Sequence, residues 1–307
     1  MNKEQKLKRL SIIKLLFRIG IEQSKKNEML AQFSILSFHD SIEMFLKLAT
    51  EIRDKKDCKN FMQYWEQLPE LTLKESMRNL NTIRVNLKHK GVMPSKLDIE
   101  SARVNSIDFF NQNTKKFFDI EFKEISLFEL IKFERCKTRL IKADKFLSEN
   151  QLEESAKEST LAFQELLEDY KETKSDQLRD NPFKIVESIS YRKAYWEDPD
   201  EPIDRNLKKL FQTVNENFRN LEKAVEVLTL GLDYKKYAKF KILTPEVMRT
   251  LNGEYHFHSK NNIDHNKENC EFLIDFILDS ALTLQEFDFA YDDLGLSPKN
   301  TVKVYFR

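Results

Sequence analysis

The chain has 307 residues, long enough for two domains or one large one. Apolar and aromatic residues make up 40% of it and charged residues 33%, with 24 Phe but only 5 Gly and 7 Pro, which argues against a sheet of many strands and for a few long helices. Lys and Arg balance Asp and Glu at 51 each, which argues against a protein coated in basic surface for general nucleic-acid binding.

The charge is unevenly placed. Residues 1–26 carry eight Lys or Arg against two Glu, and residues 268–298 carry eight Asp or Glu and no Lys or Arg. These are either two solvated helix faces of opposite sign, or a basic end that meets RNA or an acidic partner. Cys58, Cys136 and Cys270 are odd in number and far apart, as expected in a reducing compartment without a disulfide framework. The apolar run behind the basic start is broken by Lys14 and Arg18, unlike a signal peptide. No stretch approaches the roughly 20 apolar residues that span a bilayer. The expectation is a cytoplasmic protein with no membrane partner.

Residues 5–24 predict an amphipathic basic helix with Leu7, Leu10, Ile13, Leu16 or Phe17, and Gly20 near one face, read as the first helix of a bundle. Residues 28–53 give the clearest helix, since Ile35, Phe38, Ile42, Phe45, Ala49 and Ile52 recur at steps of three and four. A short helix at 60–68 ends at Pro69. The next runs from Thr72 to Lys90, with Thr72 and Glu75 spaced as a capping box, and an apolar stripe of Leu73, Met77, Leu80 and Leu87. Residues 96–119 predict a helix through Ala102, Ile107, Phe110, Phe117 and Phe118.

A domain boundary is placed at 122/123. Beyond it, 126–146 and 150–173 read as a helical hairpin through Asn150, and 174–206 as a linker containing Pro182, Pro199 and Pro202. Helices follow at 204–230 and 270–290. Between them, 234–252 reads as a loop with a short helix starting at Thr244-Pro245-Glu246, and 252–269 as a polar loop. Residues 301–307 alternate like a strand. The fold class is therefore all-α: a helical bundle over 1–122, followed by a second helical domain over 123–307 that is either a regulatory or sensing element or a degenerate repeat of the first.

The most informative segment is Arg84-Val85-Asn86-Leu87-Lys88-His89, closed by Gly91 and Pro94. Arg84 falls on the apolar stripe, four residues after Leu80 and three before Leu87, where a charge is costly unless it is paired or lies at an interface. Its guanidinium is a permanent planar phosphate ligand, and the His89 imidazole can pass a proton either way near neutral pH. On an ideal helix the two side chains lie roughly 140° apart, so one chain alone makes a poor site.

Upstream, His39 and Glu43 sit one turn apart beside Asp40. If their helix packs against that of Arg84, Glu43 is placed to hold the guanidinium. A His256-x-His258 pair with His265 has zinc-ligand residue types but no Cys to complete a set, and no metal or cofactor is assigned. Gly-rich phosphate loops and the usual hydrolase and metalloprotease motifs are absent from the sequence.

Arg84-x4-His89, together with the upstream run from Phe33 through His39, Asp40 and Glu43 to Lys47, resembles the HEPN superfamily of all-α domains over roughly residues 28–120. Many members are metal-independent RNases of toxin–antitoxin, abortive-infection or CRISPR systems. Active members often carry Asn, Asp or His directly after the arginine; here Val85 stands there and Asn86 follows. The resemblance implies a homodimeric endoribonuclease of toxin or phage-defence type acting on RNA. In it His89 would serve as acid or base, Arg84 would stabilise the phosphate and Asn86 would orient one of them, with Glu43, His39 and Lys88 supporting. The product would carry a 2′,3′-cyclic phosphate, and an antitoxin or regulatory protein is implied as a further partner. The alternative, favoured by Val85, is a non-catalytic module of the same kind that binds RNA, nucleotide or a protein.

Overall fold

A computed structural model describes residues 2–175, 205–250, 252, 254–258 and 265–286. The fold is all-α with one small antiparallel strand pair among the described residues. Two units divide at Leu130/Ile131. The first holds α1 (Lys3–Ser24), α2 (Glu28–Ala31), α3 (Ser34–Ile52), a 3-10 turn at Phe61–Gln63 leading into α4 (Tyr64–Gln67), α5 (Lys74–Lys90), α6 (Lys96–Phe118) and two further 3-10 turns, Phe122–Glu124 and Phe128–Leu130.

Helix α3 is the hub, packing on α1, α5 and α6. Its predicted seam of Ile35, Phe38, Ile42, Phe45 and Ala49 is fully buried. Phe45 meets Phe109, Phe110, Phe117 and Phe118 edge-on, with centroids 4.9–6.1 Å apart. Helix α1 runs antiparallel to α3. Gly20 lies against Phe38, where a Cβ would come within 2.8 Å of the ring, and Arg9 pairs with Glu51 at the opposite end. Helices α5 and α6 are also antiparallel, since Thr72 before α5 bonds to Asn113 late in α6. The start of α3, the end of α5 and the start of α6 therefore gather at one end of the bundle.

Three local expectations change. The first unit extends past 122 because the following turns pack back on α1: Ser11 Oγ donates to the Ser126 carbonyl at 2.6 Å and Lys14 Nζ to the Lys123 carbonyl at 2.9 Å. The helix over 28–53 breaks between Ala31 and Ser34, where Ser34 Oγ takes up the Ala31 carbonyl at 2.6 Å. The Thr72/Glu75 box does not form. Leu73 stands before α5 in the left-handed region, at φ 60°, while the Thr72 amide and hydroxyl turn to the Asn113 side chain. A capping box forms one helix later instead, between Ser95 and Asp98.

The second unit holds α7 (Glu134–Ser148), α8 (Leu152–Ser175), α9 (Arg205–Thr229), α10 (Tyr234–Leu243), β1 (Glu246–Arg249), β2 (Tyr255–His258) and α11 (Lys267–Glu286). Helices α7 and α8 make the expected hairpin, with Asn150 in the left-handed turn at φ 58°. Arg139 of α7 is held between Glu158 and Glu165 of α8 at 3.2 and 3.0 Å.

The helix expected from Thr244 and the loop expected over 252–269 are corrected. Glu246–Arg249 pairs antiparallel with Tyr255–His258, and α10 comes earlier. Tyr255 and Phe257 point inward beneath Arg139 and Lys157, while His256 and His258 point outward. This is the period of two that defines a strand. The expected linker lies almost wholly outside the described residues, and the strand at 301–307 entirely so. Cys58, Cys136 and Cys270 are free thiols, and no described helix is long and apolar enough to cross a membrane.

Because Phe45 joins α3 to α6 through four rings, Phe45→Ala should destabilise the chain by about 3–5 kcal/mol in urea titrations followed by circular dichroism. A loss below about 1 kcal/mol would show that the ring cluster does not hold these helices together.

Candidate functional site: a polar cleft between α3 and α5

Met77, Leu80 and Leu87 turn the apolar stripe of α5 into the core. Asn81, Arg84 and Lys88 border that stripe three and four residues apart, so they share the face toward α3. There they meet His39, Asp40 and Glu43. The partners confirm the packing: His39 Nε2 lies 3.0 Å from Asn81 Oδ1, and the charges of Arg84 and Lys88 act on Asp40.

His39 is only 2% exposed. Its ring lies at 30° to that of Phe61, centroids 4.3 Å apart, which holds it in place. Its Nδ1 faces Asp40 Oδ1 at 3.5 Å and Glu43 Oε2 at 3.9 Å and is buried without a hydrogen bond. Proximity to His39 is the main cause that holds the Asp40 carboxyl below its ordinary range. Burial works against this, and the Arg84 and Lys88 charges reinforce it.

Arg84 is half-buried, and its Nε is buried with no hydrogen-bond partner. The expected Glu43–Arg84 pair is not formed. Glu43 gives Oε1 to Lys47 at 2.7 Å on its own helix, and the carboxylate acting on Arg84 is that of Asp40. Glu43 lies one turn further along α3, so its carboxylate is drawn to the nearer, flexible ammonium.

His89 is exposed in the last turn of α5, between Lys88 and Lys90. Gly91, in the left-handed region at φ 65°, ends the helix by returning its amide to the Asn86 carbonyl. Helical rotation places Asn86 and His89 roughly 60° apart on the side of α5 away from α3. Of the residues singled out in the sequence, Arg84, Lys88, His39 and Glu43 thus come together, while His89 and Asn86 form a second, outward-facing pair. Asn81 and Phe61 were not anticipated. Asn81 was legible as the residue three before Arg84 on the same face; Phe61 comes from a separate segment and left no such signal.

Val92, Met93 and Leu97 follow His89 at the same end of the bundle and are exposed, Leu97 by 82%. Among the described residues, the donor atoms of His39, Asp40 and Glu43 converge within 4.8 Å of one another, close enough to share a cation. His256 and His258 lie on the outer side of β2, away from any such cluster of described residues.

The lowered Asp40 value contributes stability above its ordinary value of 3.8 and loses it as pH falls through the lower folded value. Asp40→Asn should therefore unfold at lower urea than the parent at pH 7, and the two midpoints should converge as pH is taken below 3.8. A gap that stays constant with pH would remove the charge of Asp40 from the balance of the cleft. Comparison with protein-family models, with characterised proteins and with solved structures returned no match.

Proposed function

We propose that the first unit is a metal-independent endoribonuclease module of HEPN type, serving a toxin or phage-defence system and working as a homodimer. The observation that carries the reading is Arg84, a guanidinium on a core-facing stripe whose buried Nε lacks a hydrogen bond. Nε has no partner in the core, and the rest of the half-buried guanidinium offers its planar fork, which matches a phosphate. Lys88, one turn on along the same face, adds a second positive charge for the same anion.

In this reading His89 does the proton work. It stands in the last turn of α5 and is exposed to substrate. Acting as base, it removes the proton of the ribose 2′-OH. The 2′-oxygen then attacks phosphorus, the bond to the 5′-oxygen breaks, and an imidazolium protonates that oxygen. The products are a 2′,3′-cyclic phosphate and a 5′-hydroxyl. The rotation between Arg84 and His89 supports a composite site in which two chains contribute, and Asn86 shares the face of His89 and orients it. His39 and Glu43 fix the α3 side of the cleft. The second unit and an antitoxin or regulatory protein are the candidates for restraint.

One observation favours the alternative, a non-catalytic module binding RNA, nucleotide or protein: Val85 stands directly after Arg84, where active members of the resembled superfamily often carry Asn, Asp or His. The test uses total RNA in EDTA with the parent, His89→Ala and Arg84→Met. The parent should cleave, and each variant should lose roughly 100-fold or more. Arg84→Met should stay within about 1 kcal/mol of parental stability, since no ion pair is broken. Absence of cleavage by the parent, with Arg84-dependent RNA binding in fluorescence anisotropy, would replace the enzyme by the binding module. Absence of both would overturn the reading.

A further inference from the structure

We infer that His39, Asp40 and Glu43 form a binding site for one divalent transition-metal ion, with zinc as the best match. This goes beyond the proposed nuclease chemistry and does not depend on it.

The inference starts from the buried imidazole. His39 Nε2 lies 3.0 Å from Asn81 Oδ1, so Asn81 holds one ring nitrogen and Nδ1 is the one turned to the carboxylates. Nδ1 is buried, without a hydrogen bond of normal length, and aimed at two carboxylate oxygens. In the metal-free chain a proton on Nδ1 faces the two carboxylates, and a metal ion that displaces that proton takes the same place between them.

The spacing suits a metal ion. Ligand bonds of about 2.0–2.2 Å in tetrahedral geometry place neighbouring donor atoms roughly 3.4 Å apart. Nδ1 stands 3.5 Å from Asp40 Oδ1 and 3.9 Å from Glu43 Oε2, and Glu43 can close the difference because its side chain is part-exposed. Its two oxygens are already divided, Oε1 to Lys47 and Oε2 toward His39, so metal binding leaves the Lys47 pair in place. The Asn81 bond and the Phe61 ring supply the outer support that metal-binding imidazoles need.

One nitrogen and two carboxylates select zinc or a similar transition metal over magnesium and calcium, which prefer oxygen alone. Three protein ligands leave a fourth position open on the cleft. Two carboxylates neutralise the ion, so a loaded site would no longer draw Arg84 and Lys88 toward Asp40.

The test uses the full chain stripped by chelator, with His256→Ala and His258→Ala introduced to remove the exposed histidine pair. Zn2+ is titrated by calorimetry, and Co2+ by its visible absorption bands. One ion per chain should bind, excess Mg2+ should not displace it, and Asp40→Asn, Glu43→Gln and Asn81→Ala should each weaken it roughly tenfold or more. Circular dichroism verifies the folding of each variant; the two carboxylates are part-exposed, so their amides should fold. No saturable binding by the parent would overturn the assignment. So would binding that is indifferent to both carboxylate substitutions, because the ion would then lie elsewhere.

Discussion

The edge-on packing of Phe45 against four phenylalanines of α6 is the constraint on which the first unit depends. It fixes the rotation and height of α3. His39, Asp40 and Glu43 lie within two turns of Phe45, so the cleft inherits its geometry from an apolar contact on the other side of the same helix. The close approach of Gly20 to Phe38 acts in the same sense, because α1 cannot turn or slide without driving backbone into a ring.

The cleft itself is an electrostatic compromise. Arg84 and Lys88 face Asp40, but Arg84 reaches no carboxylate with a direct salt bridge among the described residues, and Glu43 is committed to Lys47. A fully satisfied network here would have rigidified the core and left nothing for a ligand. Instead, two buried nitrogens, His39 Nδ1 and Arg84 Nε, remain without hydrogen bonds a few residues from a solvent-exposed basic helix end. Both proposals rest on that pair of unsatisfied atoms, one assigning an anion to the arginine and the other a cation to the histidine.

Much of this was legible in the sequence. The heptad-like run of α3 and the stripe of α5 announced their buried faces, because helical periodicity is a direct record of which side meets the core. Arg84 stood out for the same reason. What failed depended on distant partners. Thr72 looked like a helix cap until Asn113, on another helix, supplied a better bond. Glu43 looked like the partner of Arg84 because side-chain type and adjacency cannot tell one helical turn from the next across an interface. The strand pair was hidden by its polar composition, although the Tyr255-His256-Phe257-His258 alternation was present to be read. The HEPN resemblance stays a basis for the proposed chemistry, resting on Arg84, His89 and the upstream helix.

The hydrogen bond from Ser11 to the Ser126 carbonyl joins residues 115 apart in sequence. Its consequence lies in biosynthesis. Helix α1 precedes the other helices of this unit, yet the turns that clamp it come last, so this clamp forms only once the chain has been translated past Ser126. The helices that build the cleft, α3, α5 and α6, are all translated before the turns that clamp α1.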